Sequence, residues 1–292
     1  MALPGHSAVD KSGSSGDFFP MKIPIEDTYA DILSKARRGL GLEPSAVATQ
    51  AGISPQLASG IFGGDFAADG VRSISVVLGL HPDRVVDIAT NAYEPAEIET
   101  LPGLASFNTV FDDMTVNSYL VWDESTKEAA AFDTGSDCSE CLEVIERHGL
   151  KLTGIYLTHT HGDHVFDLDR FKSKTGAPAW TPEGEPLDGA TPFSPGRIFE
   201  IGSLKMETRS TWGHSPSGVT YFVTGLSRPV AMVGDAVFAG SMGGGGVSYE
   251  AALRTNREEI LTLPEDTVLC PGHGPLTTVG EQKRHNPFFA EH

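Results

Sequence analysis

Between residues 159 and 164 the chain reads His159-Thr160-His161-Gly162-Asp163-His164, just after the apolar run Gly154-Ile155-Tyr156-Leu157. Three imidazoles and a carboxylate within six positions are too dense for the face of a helix. The pattern predicts a loop at the end of a strand, with side chains converging on one point. Neutral imidazole and carboxylate together form a ligand set for zinc or a similar divalent ion.

Three more candidates sit in the same kind of place. His214 lies in Trp212-Gly213-His214-Ser215-Pro216, a Gly/Pro loop between two expected strands. Asp235 follows the apolar run Val230-Ala231-Met232-Val233 and Gly234. His273 lies in Pro271-Gly272-His273-Gly274-Pro275, after an expected strand from Thr267 to Cys270. Every candidate is just beyond a strand, so one edge of a sheet sandwich could gather them all.

The surrounding pattern supports such sheets. Ala105 to Phe111 and Val116 to Trp122 read as strands around an Asp112-Asp113 turn, and Ala129 to Phe132 as a third strand ending in Asp133-Thr134-Gly135. Further strands are expected at Arg197 to Ile201, Lys205 to Thr211, Val219 to Thr224 and Val230 to Val233. Helices are expected at Ser136 to His148, Val165 to Lys174 and Tyr249 to Leu263. Strands with interspersed helices point to an α+β class, with sheets covered by helices.

The first third of the chain has a different texture. Residues 1–21 are Gly/Ser/Asp-rich without periodicity, which predicts a disordered tail. Residues 22–94 read as five short helices in a small all-α bundle. Ile32, Leu33, Ala36 and Leu40 form an apolar stripe at helical spacing, and Gly52 stops a second helix that carries Val47, Ala48 and Ala51. Ser54 with Pro55 is a good start for a third helix. Glu94 to Glu97 serve as a linker, and residues 98–292 form the second unit.

Charge narrows the partners. The 292-residue chain has a formal net charge of −18. That field repels phosphate backbones and anionic membrane surfaces, so nucleic acid is disfavoured as a partner and a small molecule is favoured. Cys138, Cys141 and Cys270 make no disulfide framework, and Cys138-Ser139-Glu140-Cys141 has no second pair to complete a zinc site. The chain shows no signal-peptide pattern. Arg37-Arg38 reads as a helix end, because Glu43 and Pro44 interrupt any hydrophobic region after it. A cytoplasmic location is the expectation.

From about Leu104 to Phe289 the chain resembles the metallo-β-lactamase superfamily, an αββα sandwich, through His159-x-His161-x-Asp163-His164, His214, Asp235 and His273 in order. The resemblance implies two divalent metal ions, with zinc expected and iron or manganese accepted by the same ligands. It implies that His159, His161 and His214 hold one ion, that Asp163, His164 and His273 hold the other, and that Asp235 bridges both. Asp133 matches the family's buried aspartate, which supports the ligands from behind. Asp163 and Asp235 are then also the catalytic carboxylates, around a hydroxide that the two ions share and that attacks a carbonyl.

Within the superfamily, Gly234-Asp235-Ala236-Val237-Phe238-Ala239-Gly240 and the segment from Pro271 to Phe288 resemble glyoxalase II-like thioesterases of the short hydroxyacylglutathione hydrolase type. A thiolate leaves without a strong general acid, since its conjugate thiol has a pKa near about 8.5. The run Ser241-Met242-Gly243-Gly244-Gly245-Gly246 differs from that subfamily. Ser241, Met242, Gly243 and Gly244, with Tyr249, are the candidates for contact with substrate. A lactonase or β-lactamase would use the same two ions. A persulfide dioxygenase would use one iron at His159, His214 and Asp235, but the retained second ligand group argues against it.

The bundle, from Ile32 to Ala89, resembles the Cro/repressor-type helix-turn-helix family, through Ala48-Thr49-Gln50-Ala51-Gly52-Ile53-Ser54 and its flanks. That resemblance implies DNA binding, and so a ligand-sensing regulator as the reading from another class. The would-be recognition helix from Ser54 to Phe62 has no Lys or Arg, and residues 22–94 hold six basic and nine acidic residues. Phosphate contacts dominate affinity for DNA, so packing or homodimerisation is the favoured role of the bundle.

Overall fold

The computed structural model describes residues 23–291, so the tail expected over residues 1–21 lies outside the described residues. Five helices come first: α1 (Tyr29–Gly39), α2 (Pro44–Ala51), α3 (Pro55–Phe62), α4 (Ala68–Val77) and α5 (Pro82–Ala89). Their starts and stops follow from local chemistry. Thr28 and Asp31 exchange side-chain-to-backbone hydrogen bonds in a capping box before α1. Gly52, at φ 68°, takes the left-handed conformation that ends α2, and Ser54 Oγ accepts from Leu57 N to open α3.

Two six-stranded sheets follow. The first, in spatial order, is β1 (Leu104–Phe111), β2 (Met114–Trp122), β3 (Glu128–Phe132), β4 (Lys151–Tyr156), β5 (Ala179–Pro182) and β6 (Ala190–Phe193). The second runs from its far edge as β7 (Ile198–Ile201), β8 (Leu204–Ser210), β9 (Val219–Thr224), β10 (Val230–Gly234), β11 (Val268–Pro271) and β12 (Thr277–Thr278). The pair β3 and β4 is parallel, as is the pair β10 and β11. Parallel neighbours put their C-terminal ends at the same edge of a sheet, and that edge carries the site.

The alternation of side chains builds a layered core. In β3, Ala130 and Phe132 face the space between the sheets, while Ala129 and Ala131 face the helices α6 (Ser139–His148) and α8 (Leu168–Thr175). In β10, Val230 and Met232 face the other sheet, while Ala231 and Val233 face outward. The outward face of the second sheet packs against α9 (Tyr249–Thr255), Phe288, Phe289 and the five-helix bundle in one continuous apolar cluster. Residues from Tyr29 to Tyr93 therefore share a core with the sandwich. Polar ties reinforce it: His81 N donates to Pro287 O at 2.8 Å, and Gln282 Nε2 donates to Tyr93 Oη at 3.1 Å.

The expected αββα sandwich preceded by a helical region is present, with local corrections. The histidine segment is not loop throughout: a single helical turn, α7 (Gly162–Val165), begins inside it, with His161 at its cap. Gly162 and Asp163 suit a first turn, where an acidic side chain meets the unpaired N–H groups. The helix expected from Ser136 begins at Ser139, because Asp137 Oδ1 accepts from Ser139 N and Oγ before it. The helix expected over Tyr249 to Leu263 changes at Asn256 into a wider turn, Asn256–Ile260, where Asn256 Nδ2 donates to Ala236 O at 2.7 Å. The sequence patterns give no sign of β5, β6 or β12, which are at most four residues long. A last helix, α10 (Val279–His285), carries Lys283 and Arg284 beside Glu265. Among the described residues no helix is long and apolar enough to cross a membrane.

Candidate metal centre

The strand ends deliver the cluster. Asp133 follows β3, His159 follows β4, His214 lies in the loop from β8 to β9, Asp235 follows β10, and His273 follows β11. His161, Asp163 and His164 come from the turn at α7. The ligand atoms fall into two groups, His159, His161, His214 and Asp235 in one and Asp163, His164 and His273 in the other, with the atoms of each group within 4.8 Å of one another. Asp235 lies between them: its Oδ2 is 3.2 Å from His214 Nε2 and 3.5 Å from His273 Nε2, and its Oδ1 is 3.3 Å from His164 Nε2. Asp163 Oδ2 is 3.3 Å from His273 Nε2.

Three of the inward nitrogens are aimed by a carboxylate or carbonyl on the other side of the ring. His164 Nδ1 is 2.8 Å from Asp133 Oδ2, His273 Nδ1 is 2.7 Å from Thr115 O, and His214 Nδ1 is 2.9 Å from Gly244 O. A carboxylate or carbonyl can only accept, so Nδ1 carries a proton, and in the neutral ring Nε2 is the nitrogen that offers a lone pair to the centre of the cluster. Asp133 is fixed in turn: Thr158 N and Thr158 Oγ1 each donate to it at 2.8 Å, and its backbone is left-handed at φ 54°. Sequence reading found Asp133. It missed Thr115, and it named Gly244 for substrate contact rather than for holding His214, because a backbone carbonyl leaves no residue-type signal.

The arrangement fits bound cations. His164 Nε2 and Asp235 Oδ1 are buried polar atoms without a hydrogen-bond partner among the described residues, and such atoms in a native site call for an ion or water. Burial, the neighbouring His164 and the other imidazoles hold His159 well below its ordinary pKa, despite the pull of Asp235. Burial also lowers His161. Those two rings are therefore neutral donors. Burial opposes a proton on His164, but Asp133 and Asp235 hold it up to about 10. The same concentration of negative charge that retains a proton there would hold a divalent ion once the proton leaves.

Close approach demands glycine at two points. A Cβ on Gly272 would lie 2.2 Å from Asp235 Oδ1, and one on Gly243 would lie 2.0 Å from Asp235 O. Of the residues expected to contact substrate, Gly243 presses on the cluster from behind and Gly244 lines the cleft above it. Ser241 and Met242 are buried at 1% exposure, and Ser241 Oγ donates to Asp27 Oδ2 at 2.5 Å. Tyr249 is also buried, against α1 and Phe288. These three side chains support the loop from below. The cleft has a volume of about 620 Å³ and is lined by His161, His214, Gly244, Gly245, Gly246, Val247 and, from α1, Lys35, Arg38 and Gly39. Sequence reading did not anticipate the contribution of α1.

The profile of the Metallo-beta-lactamase superfamily matches residues 111–273, which contain every ligand candidate. The chain belongs to this superfamily. Among its relatives, the Bacillus subtilis protein named "Probable metallo-hydrolase YqgX" is 31% identical over 56% of this chain and 89% of its own length. Hydroxyacylglutathione hydrolase GloC from Haemophilus influenzae is 29% identical over 59% of this chain and 92% of its own length. Among solved structures, TTHA1623 in a di-iron-bound form is 26% identical, with a TM-score of 0.51 over 63% of this chain and all of that one. The chain is thus a metal-dependent hydrolase by family, and its His/Asp cluster fits a metal site. Cys138, Cys141 and Cys270 are all buried and free, and none belongs to either ligand group.

Proposed function

We propose that this metallo-hydrolase cleaves thioesters in the manner of glyoxalase II. The observation that carries the reading is the cluster of seven ligand candidates, with Asp235 between its two halves and with His161 and His214 lining an open cleft. The likeness to GloC, whose name specifies a hydroxyacylglutathione, directs the choice of carbonyl toward a thioester. Bound divalent ions would lower the pKa of a water to about 7 and polarise the carbonyl oxygen. His159, His161 and His214 would hold one ion, Asp163, His164 and His273 the other, and Asp235 both. Zinc is the proposed metal, and the ligand types also accept iron or manganese.

The residues of the chain then have definite tasks. Asp163, fixed at the first turn of α7 beside His273, orients the attacking water. Asp133, through His164, keeps the second group in register. No acid is required at the leaving group, because a thiolate departs unprotonated more readily than an amine. Gln282 and Asn286 give the C-terminal segment a supporting part: Gln282 Oε1 accepts from Gly240 N, and Asn286 Nδ2 donates to Ser241 O at 2.7 Å, so the segment braces the loop above the cluster.

The test combines metal analysis with a substrate panel. Full-length protein is expected to carry two equivalents of divalent metal, to hydrolyse S-lactoylglutathione, and to lose that activity on chelation. Turnover of lactones or β-lactams by metal-replete protein, with no thioester cleaved, would overturn the substrate assignment.

A further inference from the structure

We infer that Arg38, on the N-terminal helix α1, sets substrate specificity by binding a carboxylate on the thiol half of the substrate. The inference rests on the thioesterase reading for the name of the substrate class, but its geometry is independent of that reading. Arg38 and Lys35 line the same cleft as His161 and His214. Both lie well before residue 111, where the superfamily match begins. The cationic edge of the cleft is therefore an addition of this chain to the shared hydrolase site.

The two cations differ in what they are free to do. Lys35 is committed: its Nζ is 2.5 Å from Asp27 Oδ2 and donates to Met242 O at 2.9 Å, which ties α1 to the loop. Arg37 is also committed, donating to Leu42 O at 2.7 Å and lying over the Phe62 ring. Arg38 is exposed, and among the described residues no hydrogen bond or ion pair engages its guanidinium. Its position is not left to chance. The next residue, Gly39, allows α1 to rest on the Tyr249 ring, since a Cβ there would lie 2.2 Å from that ring. This contact holds the end of α1 over the cleft.

Charge makes the position consequential. In a chain of net charge −18, an anionic substrate meets general repulsion. The Arg38 guanidinium places an unpaired positive charge at the cleft, and its planar fork matches a carboxylate through two parallel hydrogen bonds. A substrate whose carbonyl lies at the cluster can extend along Gly244 to Gly246 toward Arg38, which lines the same cleft. A thiol ending in a carboxylate, as a small acidic peptide does, meets that requirement.

The experiment compares metal-loaded wild type with Arg38→Gln and Arg38→Glu, using S-methylglutathione and its diethyl ester in calorimetry as probes that carry no thioester bond. Wild type is expected to bind the acid roughly tenfold more tightly than the ester, as a charged hydrogen-bond pair implies. Arg38→Gln should remove that preference and Arg38→Glu should invert it, while the Kd for the ester and the Tm stay constant. On S-lactoylglutathione, Arg38→Gln should raise KM with little change in kcat, the mark of uniform binding. No binding of the acid by wild type, or an unchanged preference in Arg38→Gln, overturns the inference. If the preference depends on Arg38 but no thioester is hydrolysed, the thioesterase reading fails and the role of Arg38 stands. Thioester turnover indifferent to Arg38→Gln gives the reverse.

Discussion

At the residue scale, Asp133 shows how one side chain governs a site it does not enter. Its two oxygens accept from Thr158 and His164, so a carboxylate at the end of β3 sets the tautomer of an imidazole delivered by α7. Substitution by alanine would confuse two effects, since φ of 54° strains a residue with Cβ and no polar side chain. Asparagine tolerates that backbone and preserves size, but it removes the charge. Asp133→Asn is expected to keep the fold and to weaken divalent-metal affinity by roughly 10- to 100-fold. Competition with a chromogenic chelator measures this, and an unchanged affinity would show that the ring needs no carboxylate behind it.

At the scale of elements, the edge opposite the cluster has its own clamp. Asp123, after β2, accepts from Ser125 N at 2.8 Å, from Ser125 Oγ at 2.7 Å and from Ser203 N at 2.6 Å. Ser203 lies in the turn from β7 to β8, so one carboxylate joins a turn of the first sheet to a turn of the second. The Ser125 hydroxyl and the Ser203 and Ser125 N–H groups hold the Asp123 carboxyl well below the usual carboxylate range. A group depressed on folding stabilises fully above its unfolded pKa of about 3.9 and loses that effect as pH falls toward its folded value. Asp123→Asn should therefore lower Tm at pH 7, with the gap from wild type closing as the pH falls below about 4. Melting curves across that range check the sign; a gap that stays constant with pH would mean that the charge contributes nothing.

At the scale of the whole molecule, legibility divides along a physical line. Ligands at strand ends were readable, because His and Asp after apolar runs carry their chemistry in their identity. Helices α1 to α5 were readable from caps and spacing. The turn α7 was not, since four residues give no period, and neither were β5 and β6, whose Pro182 and Pro192 obscure a strand pattern. The path of α1 to the cleft was beyond reach for another reason. Nothing in Lys35, Arg38 or Gly39 announces a partner more than a hundred residues away. The expected separation into a bundle and a hydrolase unit likewise could not reveal that Ile32, Leu33 and Val85 share an apolar cluster with Val233, Leu269 and Phe288. That shared cluster has a thermodynamic consequence. Unfolding the bundle alone would expose the outward face of β10 and β11 to water, at about 25 cal/mol for each Å² of apolar surface. The two regions should therefore unfold as one. Trp122, Trp180 and Trp212 all report on the sandwich, and a fluorophore on a cysteine introduced at exposed Ser45 of α2 reports on the bundle. In urea the two signals are expected to share one midpoint and one slope. An earlier transition at the Ser45 probe would show that the bundle is an appendage and would separate it from the cleft that α1 now completes.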